Sequence, residues 1–147
     1  MRRAGFASVL LTLLMALSVP ASAAQDKPKP PKPKKPSVDL KANPAVSFSP
    51  ARIVFSADLK GGSDDYEEFY CATVTWEWGD GTESENTTDC EPYQQGSSTI
   101  QRHFSAEHKY ETWGEYRVVF RLKRQDKVVG MASTTVRVRP GLRDIGN

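Results

Sequence analysis

Cysteine is scarce in this sequence: Cys71 and Cys90 are the only two among 147 residues. A metal pair or a catalytic thiol would need a third ligand or an activating histidine close by, and nothing adjacent to either cysteine supplies one. Histidine is equally sparse, and His103 and His108 stand five apart, a spacing that fits neither the helical nor the finger-type zinc motif. No apolar run reaches the roughly 20 residues of a membrane span. After residue 36 no segment sustains a helical period and no internal repeat is visible, so the chain reads as one domain of ordinary size. No cofactor is expected.

What is present begins with a leader. MRRAGFASVLLTLLMALSVPASAA opens with Arg2 and Arg3, carries an apolar run over residues 9–17 and ends in the small residues Ala21, Ala23 and Ala24. That order is the one of a cleaved secretory signal, here residues 1–24. The mature chain is expected to start near Ala24 or Gln25 and to be secreted, extracellular or periplasmic, with no membrane span. No cysteine follows the leader, so lipid attachment there has no support. An exported chain passes through an oxidising compartment, and Cys71 and Cys90 are read as one disulfide. Closing that loop of about 20 residues stabilises the fold by roughly 3 kcal/mol in the chain-entropy model.

Residues 25–37 follow as a Lys/Pro-rich linker, expected to be disordered. Its core, DKPKPPKPKKP, sets Lys27, Lys29, Lys32, Lys34 and Lys35 against Asp26. Proline holds such a chain extended, so residues 27–36 make a semi-rigid arm roughly 30 Å long. One reading is an electrostatic tether to an anionic polymer or membrane surface, which salt would screen. The other is a solvated spacer. Of the 20 basic and 18 acidic residues, the leader takes two basic and the arm five basic and one acidic, which leaves 13 and 17 for residues 37–147, a net of −4. The basic excess is not on the globular part, so nucleic acid is not an expected partner.

The globular part, residues 38–140, shows short alternating runs rich in Val, Thr, Tyr, Phe and Trp. ARIVFSADL sets Ile53, Phe55, Ala57 and Leu59 on one face. CATVTWEW does the same with Ala72, Val74, Trp76 and Trp78, EYRVVFRLKR with Tyr116, Val118, Phe120 and Leu122, and ASTTVRVR with Ala132, Thr134, Val136 and Val138. Strands apolar on one side need a second layer to cover them, which predicts an all-β antiparallel two-sheet sandwich. RQDKV is a connection of hairpin length. GGSDDYEEFY (61–70), with four carboxylates, and NTTDCEPYQQGSS (86–98) are the long connections, where binding usually resides. Asn86-Thr87-Thr88 has the form of a glycosylation acceptor. Residues 141–147 read as a C-terminal tail.

WEWGDGT at 76–82, HKY at 108–110 and WGEYRVVFRL at 113–122 together resemble the polycystic-kidney-disease (PKD) domain family, whose pattern runs Trp-Asp-Phe-Gly-Asp-Gly-Thr, His-x-Tyr, Pro-Gly-x-Tyr-x-Val. The likeness covers most of residues 45–139 in the right order. It implies an immunoglobulin-like β-sandwich that serves as an extracellular interaction module and not as a catalyst. The structural motif residues would be Trp76, Trp78, Gly79, Asp80, Gly81, His108, Tyr110, Gly114 and Tyr116. The sequence departs from the pattern at Glu77, Trp78 and Trp113, and the insertion over residues 86–98 lies outside it.

Asp80 between two glycines reads as a turn residue whose carboxylate accepts backbone amide hydrogens. A two-residue loop at Asp80-Gly81 would pair Gly79 with Thr82 and set Cys71 opposite Cys90. It would also put Glu83 and Glu85 beside Trp78 and Trp76 on the core face, an unfavourable burial. The return strand is therefore expected to be short, bulged or at a sheet edge. Asp80 is a weak candidate for calcium, since Asp64, Asp65, Glu67 and Glu68 precede it, but neither stretch has the spacing of an EF-hand loop; the other reading is a solvated acidic loop. His108 is expected to make a structural hydrogen bond near the turn. Tyr116 is either a tyrosine corner or simple packing. Trp113 and Tyr93 are the candidate ligand contacts, with folding back over the sandwich end as the alternative.

Two functions from different classes follow. One is a secreted, non-catalytic module that binds a protein or polysaccharide through loops at one end of the sandwich. The other is a structural envelope protein tethered by its Lys/Pro arm to an anionic polymer.

Overall fold

The computed structural model describes residues 31–146. The expected leader and residues 25–30 of the arm, with Lys27 and Lys29, lie outside the described residues. Eight strands form: β1 (Ser37–Asn43), β2 (Val46–Phe48), β3 (Ala51–Lys60), β4 (Thr73–Glu77), β5 (Glu83–Asn86), β6 (His103–Tyr110), β7 (Gly114–Arg124) and β8 (Lys127–Arg139). They make a three-stranded sheet, β1-β3-β6, and a five-stranded sheet, β2-β8-β7-β4-β5. All pairs are antiparallel except β2 with β8, which is parallel.

The alternation read from the sequence decides which face each strand buries. Ile53, Phe55, Ala57 and Leu59 of β3 are buried against Val74 and Trp76 of β4, Val118, Phe120 and Leu122 of β7, and Val136 and Val138 of β8. Rings from opposite sheets meet across the interface, Phe55 with Trp76 at 6.5 Å and with Trp78 at 5.4 Å, and Phe104 with Phe120 at 5.3 Å. Each such pair is worth about 0.5–1.5 kcal/mol beyond the burial of its area. Between β7 and β8 the connection is the two-residue turn Gln125-Asp126, with Gln125 at φ 54°.

The register around Gly-Asp-Gly differs from the one expected. Trp76 faces Ser84, Glu77 faces Glu83 and Thr75 faces Glu85, while the Trp78 amide donates to the Thr82 carbonyl at 3.1 Å. The loop is thus the three residues Gly79-Asp80-Gly81, one longer than expected. A one-residue shift exchanges the faces of a strand, and here it moves Glu83 and Glu85 off the core and brings Ser84 to the tryptophans. β5 is short, fully exposed and at the edge of its sheet. Pairing with β4 stops at Val74 and Asn86, so Cys71 and Cys90 join as a disulfide outside the ladder and not as an opposed pair within it.

Three strands were not expected. β1 and β2 are too short or too mixed in polarity to alternate clearly, and β6 points Phe104, Ala106, His108 and Tyr110 inward, where Ala and His are weak apolar signals. The expected boundaries move as well. Residues 34–36 belong to the sandwich: the Lys34 amide donates to Ser63 Oγ at 2.8 Å, the Ser63 amide returns to the Lys34 carbonyl at 2.8 Å, and Pro36 is buried. Lys35 Nζ sits 5.6 Å from the centre of the Phe69 ring. At the other terminus the Gly141 amide donates to Ser49 Oγ at 2.9 Å and to Asp144 Oδ2 at 2.8 Å, so the first residues of the expected tail are clasped.

The two glycines of the turn differ in what surrounds them. Both have positive φ, 84° for Gly79 and 89° for Gly81, but a Cβ on Gly79 would lie 2.6 Å from the Arg117 carbonyl oxygen, whereas one on Gly81 would meet nothing within 4 Å. Gly81→Ala is expected to cost about 1–2 kcal/mol from backbone strain alone, and Gly79→Ala at least about twice that. Urea unfolding of the two variants checks this; equal losses would show that the close approach of β7 is immaterial.

Candidate functional site

At the end of the sandwich where β3 begins, the chain gathers most of the motif residues. Asp80 Oδ1 accepts from the Thr82 amide at 3.0 Å and the Thr82 hydroxyl at 2.6 Å, and its Oδ2 lies 2.8 Å from His108 Nε2. An ionised carboxylate can only accept, so that nitrogen carries the hydrogen. His108 lies flat on Trp78, 4.5 Å between centroids at 2°. Trp78 Nε1 donates to Ser84 Oγ at 3.0 Å. Tyr110, buried, donates to the Trp78 carbonyl at 2.8 Å, and desolvation holds its phenol well above the ordinary tyrosine range. Asp80 is thus engaged through both oxygens, one by the turn and the other by β6.

Tyr116 makes two kinds of contact. Its hydroxyl donates to the Thr112 carbonyl at 2.9 Å, the corner geometry, and its ring stacks on Tyr110 at 4.3 Å. The Thr112 hydroxyl closes a second contact to Tyr116 at 2.9 Å. Gly114 packs against the same ring. The turn 111–113 is stapled to the strand that follows it, and Trp113 projects from it 60% exposed.

Tyr93 lies elsewhere. Its hydroxyl donates to the Asp65 carbonyl at 2.7 Å and its ring meets Tyr70 edge-on at 5.6 Å. The β3–β6 register pairs Ala51 with Tyr110 and Asp58 with His103. Trp113 therefore belongs to the end where β3 begins, and Tyr93, held to the connection after Lys60, to the end where β3 finishes. The two expected contacts do not share a site.

The insertion that carries Tyr93 roofs a cavity of about 220 Å³ between β4 and β6. Val74, Trp76 and Phe104 form its floor, Cys71 and Cys90 a wall, and Asn86, Thr88, Thr99, Gln101 and Ser105 its exposed rim. Sequence reasoning missed this feature, because it exists only once the chain between β5 and β6 is laid over the gap between the sheets. A second recess, at the Trp113 end, is lined by Phe48, Pro50, Pro140, Leu142 and Ile145.

The acidic connection is exposed and partly paired. Asp64 meets Arg102 at 2.6 Å, Glu67 meets Arg124 at 3.5 Å and Glu68 accepts from Tyr66 at 3.1 Å. His103 Nδ1 lies 2.8 Å from Asp58 Oδ1. Among the described residues no three His, Cys, Asp or Glu side chains gather as a metal group, and no helix is long and apolar enough to cross a membrane.

Among solved structures the chain is similar to a PKD domain. A solved PKD domain of an M14-like peptidase from a Thermoplasmatales archaeon, 15% identical in sequence, covers 73% of this chain and 96% of its own, with a TM-score of 0.48. No family model matches the sequence, and no curated protein does.

The Asp80 network carries a pH dependence. Partial burial, the largest single influence, pushes its carboxyl up, but the hydrogen bonds from the Thr82 hydroxyl, His108 and the Thr82 amide, with the nearby imidazole charge, together hold it below the ordinary 3.8. A carboxyl whose pKa is lower folded than unfolded contributes stability that is complete above the unfolded value and is lost as pH falls through the folded one. Thermal unfolding from about pH 6 to about pH 2.5 is expected to show Asp80→Asn less stable at the upper end and less acid-sensitive below pH 4. Parallel curves for the two proteins would assign the acid sensitivity to other groups.

Proposed function

We propose that the protein is a secreted, non-catalytic β-sandwich module that binds a protein or polysaccharide outside the cytoplasm, with Trp113 as the central contact. The observation that carries this reading is an exposed tryptophan on a turn that cannot collapse. Tyr116 fixes the turn from below, and a large indole already held in place binds at little entropic cost. The Cys71–Cys90 disulfide and the leader sequence both fit an oxidising, exported location. The unpaired apolar side chains of Phe48, Leu142 and Ile145 lie at the same end, and all three are exposed.

A second reading is favoured by the seating of residues 34–36. An arm fastened in this way transmits a pull to the fold, as a tether to an anionic envelope polymer requires, and in that reading Lys27, Lys29 and Lys32, with Lys34 and Lys35, make the contact. Because residues 34–36 pack on the sandwich, the deletion that tests it ends at residue 33.

Sedimentation of the purified protein with cell-envelope material, at low and high salt, separates the two. Trp113→Ala is expected to weaken binding about tenfold, while deletion of residues 25–33 leaves it unchanged at high salt. Loss of binding on deletion, with Trp113→Ala silent, overturns the Trp113 reading in favour of the tether.

A further inference from the structure

We propose that the cavity under the disulfide-pinned insertion is a binding site for a neutral saccharide ring, a free hexose or the terminal unit of a glycan chain. It is a site separate from Trp113, which lies at the other end of the sandwich.

The lining decides the ligand class. Among the described side chains that surround the cavity there is no carboxylate, ammonium, guanidinium or imidazole. An ion entering it would lose hydration and find no opposite charge. A purely apolar group would cover Trp76 and Phe104 but displace water from the rim without replacing its hydrogen bonds. A sugar ring satisfies both parts, since its C–H face lies on aromatic carbon while its hydroxyls reach outward. Asn86 and Gln101 each offer a donor and an acceptor on one amide, the pairing that adjacent hydroxyls present, and Thr88, Thr99 and Ser105 offer hydroxyls that do either.

Size and rigidity point the same way. At about 220 Å³ the space is smaller than the roughly 300–1,000 Å³ of sites for drug-sized ligands, and fits one ring better than a peptide. The walls are already in place. Cys71 and Cys90 are covalently joined, and Tyr70 donates to the Glu91 carbonyl at 3.0 Å. The Ile100 amide donates to the Asp64 carbonyl at 2.8 Å, which ties the far end of the insertion to the acidic connection. A site ordered before its ligand arrives loses little entropy on binding.

The test is a titration of the purified full-length mature protein with glucose, galactose, mannose, N-acetylglucosamine and their di- and trisaccharides, beside glucuronic acid and glucosamine as charged counterparts. Calorimetry gives affinity, and the indole N–H resonance of Trp76 reports occupancy of the floor. At least one neutral saccharide is expected to bind saturably and move that resonance, with its charged counterparts at least about tenfold weaker. Asn86→Ala and Gln101→Ala, both on the exposed rim, are each expected to weaken binding about fivefold with no change in melting temperature. Trp113→Ala should leave it unaltered. The proposal is overturned if no neutral saccharide in the panel saturates, if a charged counterpart binds as tightly, or if both rim variants bind like the parent. Because the Trp113 reading is judged on envelope binding and this one on the Trp76 resonance, either can fail alone.

Discussion

Six aromatic rings in unbroken contact hold this sandwich together. Phe120 meets Trp76 at 4.8 Å, Trp76 stacks on Trp78 at 5.5 Å and Trp78 on His108 at 4.5 Å; His108 then meets Tyr110 at 4.8 Å and Tyr110 stacks on Tyr116 at 4.3 Å. The column starts on β7, passes through β4, crosses to β6 in the other sheet and returns to β7. It explains why a histidine sits half-buried in a hydrophobic interior. The ring faces are covered by carbon, while the polar edge reaches Asp80. It also accounts for the place of Asp80, whose two oxygens secure the turn from which the column is hung.

The same column dictates the register of β5. With both tryptophans committed inward, the opposing strand can present only a small polar side chain to them, and Ser84 takes that place with a hydrogen bond to Trp78. The carboxylates of Glu83 and Glu85 are turned to the outer face, where Glu85 pairs with Lys123 at 3.4 Å and Glu77 with Arg121. An exposed edge strand bearing two acids is a poor template for another chain, so the arrangement also guards the sheet against edge-to-edge pairing.

The core was legible because its strands alternate without interruption. Ile53, Phe55, Ala57 and Leu59, or Val118, Phe120 and Leu122, admit one inward face and no other. The turn was legible in kind from Gly79 and Gly81, but not in length, because a two- and a three-residue loop share the same composition and only the fate of Glu83 and Glu85 separates them. Tyr93 and Trp113 read alike as loop aromatics. Their difference is set by partners distant in sequence, Asp65 for one and, among the described residues, none of comparable kind for the other. Thr75 is the converse case: on the polar face of its strand it is nevertheless 1% exposed, hydrogen-bonded at 3.3 Å to Glu85. Long charged side chains on neighbouring strands can cover such a position, and no local pattern signals it.

The seating of residues 34–36 gives the molecule a mechanical polarity. The arm joins β1 at Ser37, which pairs with Lys60 at the end where β3 finishes, whereas β8 runs out at Arg139, beside Phe48 at the opposite end. With 13 residues in β8, at about 3.3 Å each the sandwich spans on the order of 40 Å between these poles. A pull between them acts along the strands and loads β1 in shear against β3. The seven residue pairs of that ladder, from Ser37–Lys60 to Asn43–Val54, then resist together instead of opening one after another.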